Sequence, residues 1–216
     1  MISAETNLSS FERGHAFVNL YDAKTAAESC KNCPLWKRAT QTVFGEGPVP
    51  AAVMLVGEQP GDREDLRGRP FVGPAGKLLD KALDQAGLSR ASVYVTNAVK
   101  HFKWEPLGNR RLHKKPTARE IAACRPWLLT ELNLVRPHVV VSMGATAATS
   151  LFGKDFRVTA NRGQVFESAY APSVLVTVHP SAILRSQDEA TRELEFGRFV
   201  EDLRQVKKLL RAASRL

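Results

Sequence analysis

Polar side chains follow three of the strands that the sequence predicts, at the point where each strand ends. Glu58, Gln59 and Asp62 follow the end of the first apolar run, Asn97 lies near the end of the second run, and His179 ends the fourth. Ligands of parallel α/β sheets bind beyond the carboxyl ends of the strands, so we expect these five side chains to line one surface. Carboxylates, amides and an imidazole that converge in this way are typical of a catalytic site.

A second set of residues has the chemistry of metal ligands. The chain has three cysteines, Cys30, Cys33 and Cys124, and an odd number argues against a disulfide framework. Cys30 and Cys33 form a C-x-x-C pair, and His101 and Cys124 would complete a set of four. On the donor types alone zinc is favoured, because iron–sulfur clusters normally use four thiolates. Either metal would tie the N-terminal segment to the chain that follows the second strand.

Phe71 and His113 each have an ordinary and a functional interpretation. Phe71 lies in a loop rich in glycine and proline, where it is either a core aromatic or a platform for a flat ring. His113 lies in a basic loop, where histidines are usually solvated or contact phosphate. Surrounding cations would keep its imidazole largely neutral near pH 7. A neutral imidazole is a competent base or nucleophile if a carboxylate such as Glu58 or Asp62 orients it.

Positive charge is concentrated in one part of the chain. Residues 100–125 contain eight lysines and arginines and two acids, a net charge of +6, whereas the whole chain carries +9. The segment is either a solvated basic loop or a surface that binds nucleic acid, and the total charge favours a polyanionic partner. No apolar run is long enough to span a membrane, and the N-terminus lacks a signal-peptide core. We therefore expect a cytosolic protein that does not bind membranes.

The elements that must position these residues alternate along the chain. Continuous apolar runs, typical of strands covered on both faces, predict four strands at 51–57, 92–99, 137–144 and 173–179. Helices are predicted at Pro74–Ala86, after the capping-box pair Thr117 and Glu120, after Gly144 and over 189–213. Pro126 in the second of these helices predicts a kink or a late start. The alternation predicts a three-layer α/β/α sandwich around a four-stranded parallel sheet, in one domain over residues 1–216.

Four motifs resemble those of family-4 uracil-DNA glycosylases. They are Gly57–Gly61 (GEQPG), Gly68–Gly76 (GRPFVGPAG), Thr96-Asn97 and His179-Pro180-Ser181. The similarity extends from Cys30 to the final helix. The resemblance implies the uracil-DNA glycosylase fold, DNA that contains uracil as the substrate, and a 4Fe–4S cluster in place of zinc. The ligands that it implies are Cys30, Cys33, His101 and Cys124.

Two features are similar to the X-type subgroup of this family, whose members become covalently linked to DNA. His101 stands where most family-4 enzymes have a fourth cysteine. Asn109–His113 (NRRLH) matches the Lys-Arg-Arg-Ile-His loop of the subgroup with two substitutions. The resemblance implies that His113 attacks C1′ of the sugar, while Glu58 orients the imidazole and accepts its proton. The product would be a stable adduct, so the enzyme would act once.

The resemblance also implies roles for the remaining site residues. Uracil would stack on Phe71, Asn97 would read its O4 and N3–H edge, and His179 would donate to O2 as negative charge develops there. Gln59 would contact the substrate in a site that is poor at activating water, and Asp62 would contact water or the sugar. Further contacts to the DNA are expected from Ser181, Arg185, Arg110 and Arg111.

Two alternatives stay open from the sequence alone. An ordinary family-4 glycosylase would hydrolyse the glycosidic bond and turn over, with His113 only touching phosphate. A non-catalytic iron–sulfur or zinc protein would bind nucleic acid without excising a base. The preferred prediction is a monomer of bacterial type, cytoplasmic and associated with the nucleoid. It would act on uracil in DNA, including single-stranded DNA.

Overall fold

Five strands form one sheet at the centre of the protein, which a computed structural model describes from residue 17 to residue 213. Numbered along the chain, the strands of this range are β1 (Val53–Gly57), β2 (Val93–Asn97), β3 (Trp104–Leu107), β4 (Arg110–His113), β5 (Val139–Met143), β6 (Val165–Ser168) and β7 (Ala171–Thr177). The central sheet has the order β2-β1-β5-β7-β6, and β3 and β4 form a separate hairpin. The first four strands in that order run parallel, and β6 pairs antiparallel with β7 at one edge.

The predicted parallel sheet is confirmed, and it has one strand more than the four that were predicted. All residues of β1, β2 and β5 are buried, as their continuous apolar sequences indicate. The additional strand, β6, alternates between exposed and half-buried positions. An edge strand of this kind, with glutamate and serine among its four residues, lacks the apolar run on which the prediction depended.

Helices cover both faces of the sheet. In the described range they are α1 (Leu20–Glu28), α2 (Asp62–Arg67), α3 (Pro74–Ala86), α4 (Ala118–Val135), α5 (Ala145–Phe152), α6 (Val158–Asn161), α7 (Pro180–Leu184) and α8 (Glu189–Ala213). Successive side chains of β1 point to opposite faces: Leu55 packs with Leu79 of α3 and Phe199 of α8, and Met54 packs with Leu128 of α4. The three predicted layers are therefore present. Within residues 17–213, no helix has both the length and the apolar character that crossing a membrane requires.

Helix α4 shows how local sequence fixes where an element begins. The Thr117 side chain accepts a hydrogen bond from the backbone N–H of Glu120 at 3.3 Å, and the Glu120 carboxylate accepts one from the N–H of Thr117 at 2.6 Å. This is the predicted capping box. The helix begins at Ala118 and continues to Val135 through Pro126, so of the two predicted effects of this proline the late start is wrong, and the kink stays a prediction. The capping box starts the helix two turns before the proline, whose missing N–H removes only one hydrogen bond.

An antiparallel hairpin of β3 and β4 lies where the sequence predicted only a basic loop. Trp104 pairs with His113, and Leu107 pairs with Arg110. The chain turns at Gly108, whose φ of +55° lies in the left-handed region that glycine favours. The hairpin places His113 at the end of a strand, next to the carboxyl ends of the central sheet.

Candidate active site

Three of the predicted site residues converge on Gly57, the last residue of β1. A Cβ atom built on Gly57 would lie 2.5 Å from Asn97 Oδ1, 2.6 Å from Phe71 Cζ and 3.2 Å from His179 Nε2. Asn97 ends β2, which pairs with β1 in parallel, and His179 follows the end of β7. The carboxyl ends of parallel strands therefore bring an amide, an aromatic ring and an imidazole together. Only glycine fits beneath them without displacing one of the three.

The loop that carries Phe71 has a strained backbone, held from two sides. Phe71 has a φ of +56°, which is rare for a bulky residue, and it is 7% exposed. A Cβ on Gly76 would lie 1.7 Å from the Phe71 carbonyl oxygen, so the loop packs where only glycine fits. Glu64 accepts a hydrogen bond from the backbone N–H of Gly73 at 2.7 Å. The Phe71 ring belongs to the core and also stacks on His179, with the ring centroids 6.1 Å apart.

A buried ion pair supports Asn97 from beneath the site. The Lys100 ammonium donates to the backbone carbonyl of Asn97 at 2.6 Å and to the Thr96 hydroxyl at 2.7 Å, and it pairs with Glu131 of α4. The two charged side chains are 1% and 0% exposed. Lys100 belongs to the basic segment of the sequence, which predicted a surface position that the structure overturns, and Glu131 was not predicted. An acid on the apolar face of a helix was the signal that could have found this pair.

His179 presents a neutral N–H to the floor of the site. The backbone N–H of Ser181 donates to His179 Nδ1 at 3.2 Å, and the Ser181 hydroxyl lies 2.8 Å from the same nitrogen. Because a backbone N–H can only donate, Nδ1 accepts and the ring proton of the neutral form lies on Nε2. Burial, with smaller contributions from Arg185 and His113, lowers the pKa of His179 to about 4. Ser181 thus orients His179 in this structure, whereas the sequence predicted that it contacts the DNA.

His113 lies at the rim of the site, between Glu58 and Gln59. Its Nε2 is 2.8 Å from the Gln59 amide nitrogen and 3.5 Å from Glu58 Oε1. The other Glu58 oxygen accepts a hydrogen bond from the Thr146 hydroxyl at 2.6 Å, at the start of α5. The His113 side chain is 48% exposed, so an incoming ligand can reach it.

The environment of His113 favours its neutral form. Burial is the largest effect and lowers the pKa of His113, Glu58 raises it, and Arg185 lowers it further. The sequence predicted a neutral ring because of surrounding cations. The pKa of His113 is lowered, as was predicted, but the main cause is desolvation of the ring and not the surrounding cations. Arg185 is exposed and lies close enough to influence both His113 and His179.

Arg111 and Asp62 bind each other, whereas the sequence predicted that Arg111 contacts the DNA and that Asp62 contacts water or the sugar. Arg111 Nε donates to Asp62 Oδ1 at 2.6 Å, and Arg111 Nη1 donates to Asp65 Oδ2 at 2.5 Å. Asp65 is fully buried and also accepts from the Thr40 hydroxyl at 2.6 Å. These contacts anchor the β3–β4 hairpin to α2. Arg110, by contrast, is exposed at the hairpin turn, as a DNA contact requires.

Three of the four predicted metal ligands, Cys30, Cys33 and Cys124, belong to one apolar cluster. The Trp127 indole N–H donates to Cys30 Sγ at 3.1 Å, and the Lys100 backbone N–H donates to Cys124 Sγ at 3.2 Å. Burial raises the pKa of the Cys124 thiol to about 12, and it also raises that of Cys33. The predicted fourth ligand, His101, is 5% exposed, and its Nε2 lies 2.9 Å from the Thr42 hydroxyl. In the part of the chain that the structure describes, no three His, Cys, Asp or Glu side chains are arranged to hold a metal ion.

Comparison with known proteins identifies the class to which this fold and site belong. A family model described as the uracil DNA glycosylase superfamily matches residues 44–204. That range includes all five strands of the central sheet and every residue that surrounds Gly57. The chain therefore belongs to the uracil-DNA glycosylase superfamily.

The chain is similar to curated type-4 and type-5 uracil-DNA glycosylases of that superfamily. It is similar to the type-4 uracil-DNA glycosylase of Thermotoga maritima, with 37% identity over 185 residues that cover 85% of this chain and 91% of the relative. The type-4 uracil-DNA glycosylase of Saccharolobus solfataricus is 38% identical over 84% of this chain and 82% of its own length. A type-5 uracil-DNA glycosylase of Pyrobaculum aerophilum is 35% identical over 63% of this chain and 64% of its own length.

Proposed function

We propose that the protein excises uracil from DNA. The observation that carries this proposal is the convergence of Phe71, Asn97 and His179 around Gly57, in a chain similar to type-4 uracil-DNA glycosylases. A uracil swung out of the base stack would lie against the Phe71 ring. The Asn97 amide would pair with O4 and N3–H of the base. Cytosine has the reverse pattern of donor and acceptor and would leave these buried groups unpaired.

His179 would stabilise the leaving base. Its Nε2–H faces the floor of the site, where it would donate to uracil O2 as the glycosidic bond breaks and negative charge develops on the ring. Because the pKa of His179 is lowered to about 4, the ring stays a neutral donor over the physiological pH range. Loss of one such donor typically slows a reaction by about 10²–10³-fold.

We further propose that His113 captures the sugar. A half-exposed, neutral imidazole at the rim of the site supports this step. The bond between uracil N1 and C1′ breaks, its electron pair leaves with the base, and a bond forms between the imidazole and C1′. The Glu58 carboxylate, fixed by Thr146, would lie beside the sugar carbon as positive charge develops there. The product is an adduct of protein and DNA, and each molecule would act once.

A denaturing gel of the protein incubated with a uracil-containing oligonucleotide tests both steps. We expect an adduct that persists in denaturant with uracil DNA and is absent with thymine DNA. His113→Ala should lose the adduct, and an adduct that persists in this variant would refute capture by His113. His113→Ser should admit water and release uracil repeatedly. If this variant yields neither uracil nor an abasic product, excision and capture do not share one pocket.

Hydrolysis with turnover is the second candidate function. The similarity to proteins named type-4 uracil-DNA glycosylases favours it. In that case no adduct would form, and His113 would only touch phosphate. The amount of uracil released per molecule of protein separates the candidates, because capture stops at one and hydrolysis continues.

We propose that the protein holds a 4Fe–4S cluster, with zinc as the alternative. The ligands would be Cys30, Cys33, His101 and Cys124. The surroundings of two of these ligands support the proposal, because N–H groups of Trp127 and Lys100 donate to the sulfurs of Cys30 and Cys124, as N–H groups do around thiolate ligands. When bound, the cluster would supply a covalent tie between the N-terminal segment and α4. The iron, sulfide and zinc content of the purified protein, with its absorption spectrum, distinguishes the two.

We propose that the protein acts as a cytoplasmic monomer on the DNA of the nucleoid, including single-stranded DNA. Exposed cations that flank His113, such as Arg110, Lys115 and Arg119, support binding of the phosphate backbone. Affinity for single- and double-stranded oligonucleotides, measured over a range of salt concentrations, tests the DNA preference. Sedimentation tests the monomer, and microscopy of a fluorescent fusion in cells tests the location.

A further inference from the structure

We infer that Gln59 is a positioning residue that fixes the tautomer of His113, so that Nε2 keeps its lone pair and attacks C1′ once the hydrogen bond from Gln59 is released. The sequence predicted that Gln59 contacts the substrate. In the structure its side chain instead connects the two ends of the β3–β4 hairpin with the imidazole. The inference rests on the proposed capture by His113 and specifies which atom performs it.

Backbone contacts fix the orientation of the Gln59 amide. Its oxygen accepts a hydrogen bond from the backbone N–H of Lys103 at 3.2 Å. Its nitrogen donates to the carbonyl of Lys114 at 3.0 Å and lies 3.3 Å from the carbonyl of Lys103. A backbone N–H can only donate and a carbonyl can only accept, so exchanging the amide oxygen and nitrogen would break these contacts. The amide nitrogen therefore faces His113.

The fixed amide determines where the imidazole carries its proton. The Gln59 nitrogen lies 2.8 Å from His113 Nε2, a distance at which one atom must donate and the other accept. The amide nitrogen has no lone pair to offer, so Nε2 accepts. A neutral imidazole has one N–H, which then lies on Nδ1. Glu58 Oε1, at 3.5 Å from Nε2, is too far away to claim a proton there.

This geometry changes the proton transfer that accompanies capture. The imidazole leaves its hydrogen bond to Gln59, and the Nε2 lone pair then forms the bond to C1′ while the electron pair of the glycosidic bond leaves with uracil. The ring becomes an imidazolium, and it loses the proton on Nδ1 to solvent, which leaves a neutral N-alkylated imidazole. The sequence predicted that Glu58 accepts this proton. The contact that Glu58 makes is from Oε1 to Nε2, at 3.5 Å, so its charge acts on the developing cation beside that nitrogen instead.

The same geometry gives a reason for an amide at position 59. A carboxylate of equal size would place an acceptor 2.8 Å from Nε2 and would draw the ring proton onto that nitrogen. Nε2 would then have no lone pair for the sugar. Gln59→Glu is therefore the sharp test, and Gln59→Met is its matched control, because methionine removes the donor without adding an acceptor.

The tautomer is measured in the free protein by ¹⁵N–¹H correlation spectra of labelled histidine rings, with His113→Ala assigning the resonances. We expect an Nδ1–H tautomer in the parent protein, an Nε2–H or doubly protonated ring in Gln59→Glu, and a mixture in Gln59→Met. Adduct formation should be slowed at least about tenfold in Gln59→Glu, and less in Gln59→Met, because a net hydrogen bond is worth about that factor.

The outcomes separate this inference from the proposed function. An Nε2–H ring in the parent protein, or a tautomer unchanged by Gln59→Glu, would overturn the inference. An Nδ1–H ring in a protein that forms no adduct would instead refute the proposed capture and leave the tautomer assignment standing. The spectrum of the parent protein shows the tautomer of His113 even if a variant fails to fold. Circular dichroism identifies such a failure.

Discussion

Replacing Lys100 by methionine should destabilise the protein far more than the same replacement of an exposed lysine would. Lys100 Nζ contacts Glu131, the Thr96 hydroxyl and the Asn97 carbonyl, and the ammonium is 1% exposed. Removing one partner of such a pair leaves the other charge buried without its counter-ion. The usual cost is about 3–5 kcal/mol of unfolding free energy.

The structure places the expected cost near the lower end of that range. The Glu131 carboxylate keeps other donors when the ammonium is gone: the backbone N–H of Gly45 at 2.8 Å, the Tyr94 hydroxyl at 3.0 Å and the Thr96 hydroxyl at 2.9 Å. We therefore expect Lys100→Met to lower the unfolding free energy by about 3 kcal/mol. Lys77 is exposed on α3, so Lys77→Met, the matched control, should change it by less than about 0.5 kcal/mol.

The double variant Lys100→Met/Glu131→Gln tests whether the unpaired charge of Glu131 causes the loss of stability. Both buried charges are then absent, and glutamine still accepts hydrogen bonds from Gly45 and Tyr94. We expect it to recover at least about 1.5 kcal/mol relative to Lys100→Met, because a buried pair replaced as a unit costs little. Urea denaturation followed by circular dichroism measures all four proteins, with the metal content of each determined alongside. A double variant as unstable as Lys100→Met, or a single variant within about 1 kcal/mol of the parent, would refute the reasoning.

Three further predictions concern the site. Gly57→Ala places a Cβ 2.5 Å from Asn97 Oδ1, so single-turnover uracil excision should fall at least about 100-fold. Circular dichroism should show the fold retained, and near-parental excision would contradict a site built on this glycine. Arg111→Lys removes the planar guanidinium that binds Asp62 and Asp65 at the same time, so the adduct yield should drop while uracil release continues. An unchanged yield would mean that the anchored hairpin does not position His113. Because burial lowers the pKa of His113, the ring gains its proton only below the usual range. Adduct formation should therefore stay constant from about pH 8 to 6.5 and fall at lower pH, and a decline beginning above pH 7 would oppose this assignment.

The parts of the fold that were predicted correctly are those that local sequence determines. Continuous apolar runs located β1, β2, β5 and β7, because strands buried on both faces need such runs. Capping residues and glycine stops located α3 and α4. The β3–β4 hairpin was missed because its residues are mostly polar and charged, with pairing that depends on the turn at Gly108. The prediction of one domain over 1–216 includes residues outside the described range and stays a prediction.

The part of the site that could be predicted is the part whose residues are brought together by the order and direction of the strands. Asn97 and His179 meet because the carboxyl ends of parallel strands share one edge of the sheet. The partners of Arg111 depend on how the hairpin packs against α2, which no spacing in the sequence records. Lys100 was assigned to the surface because its neighbours in the chain are basic, whereas its neighbours in space include the buried Glu131.

The β3–β4 hairpin also bears on how capture chemistry could be gained or lost. It adds no strand to the central sheet, and its first and last residues, Trp104 and His113, pair with each other. A segment whose ends lie side by side can be shortened or transplanted without interrupting the sheet, and its removal also takes Arg111 away from the buried Asp65. The hairpin that carries the proposed nucleophile is therefore a separate structural unit attached to a glycosylase fold. Moving it into a hydrolytic relative would also require the anchoring acids of α2 and an amide at the position of Gln59.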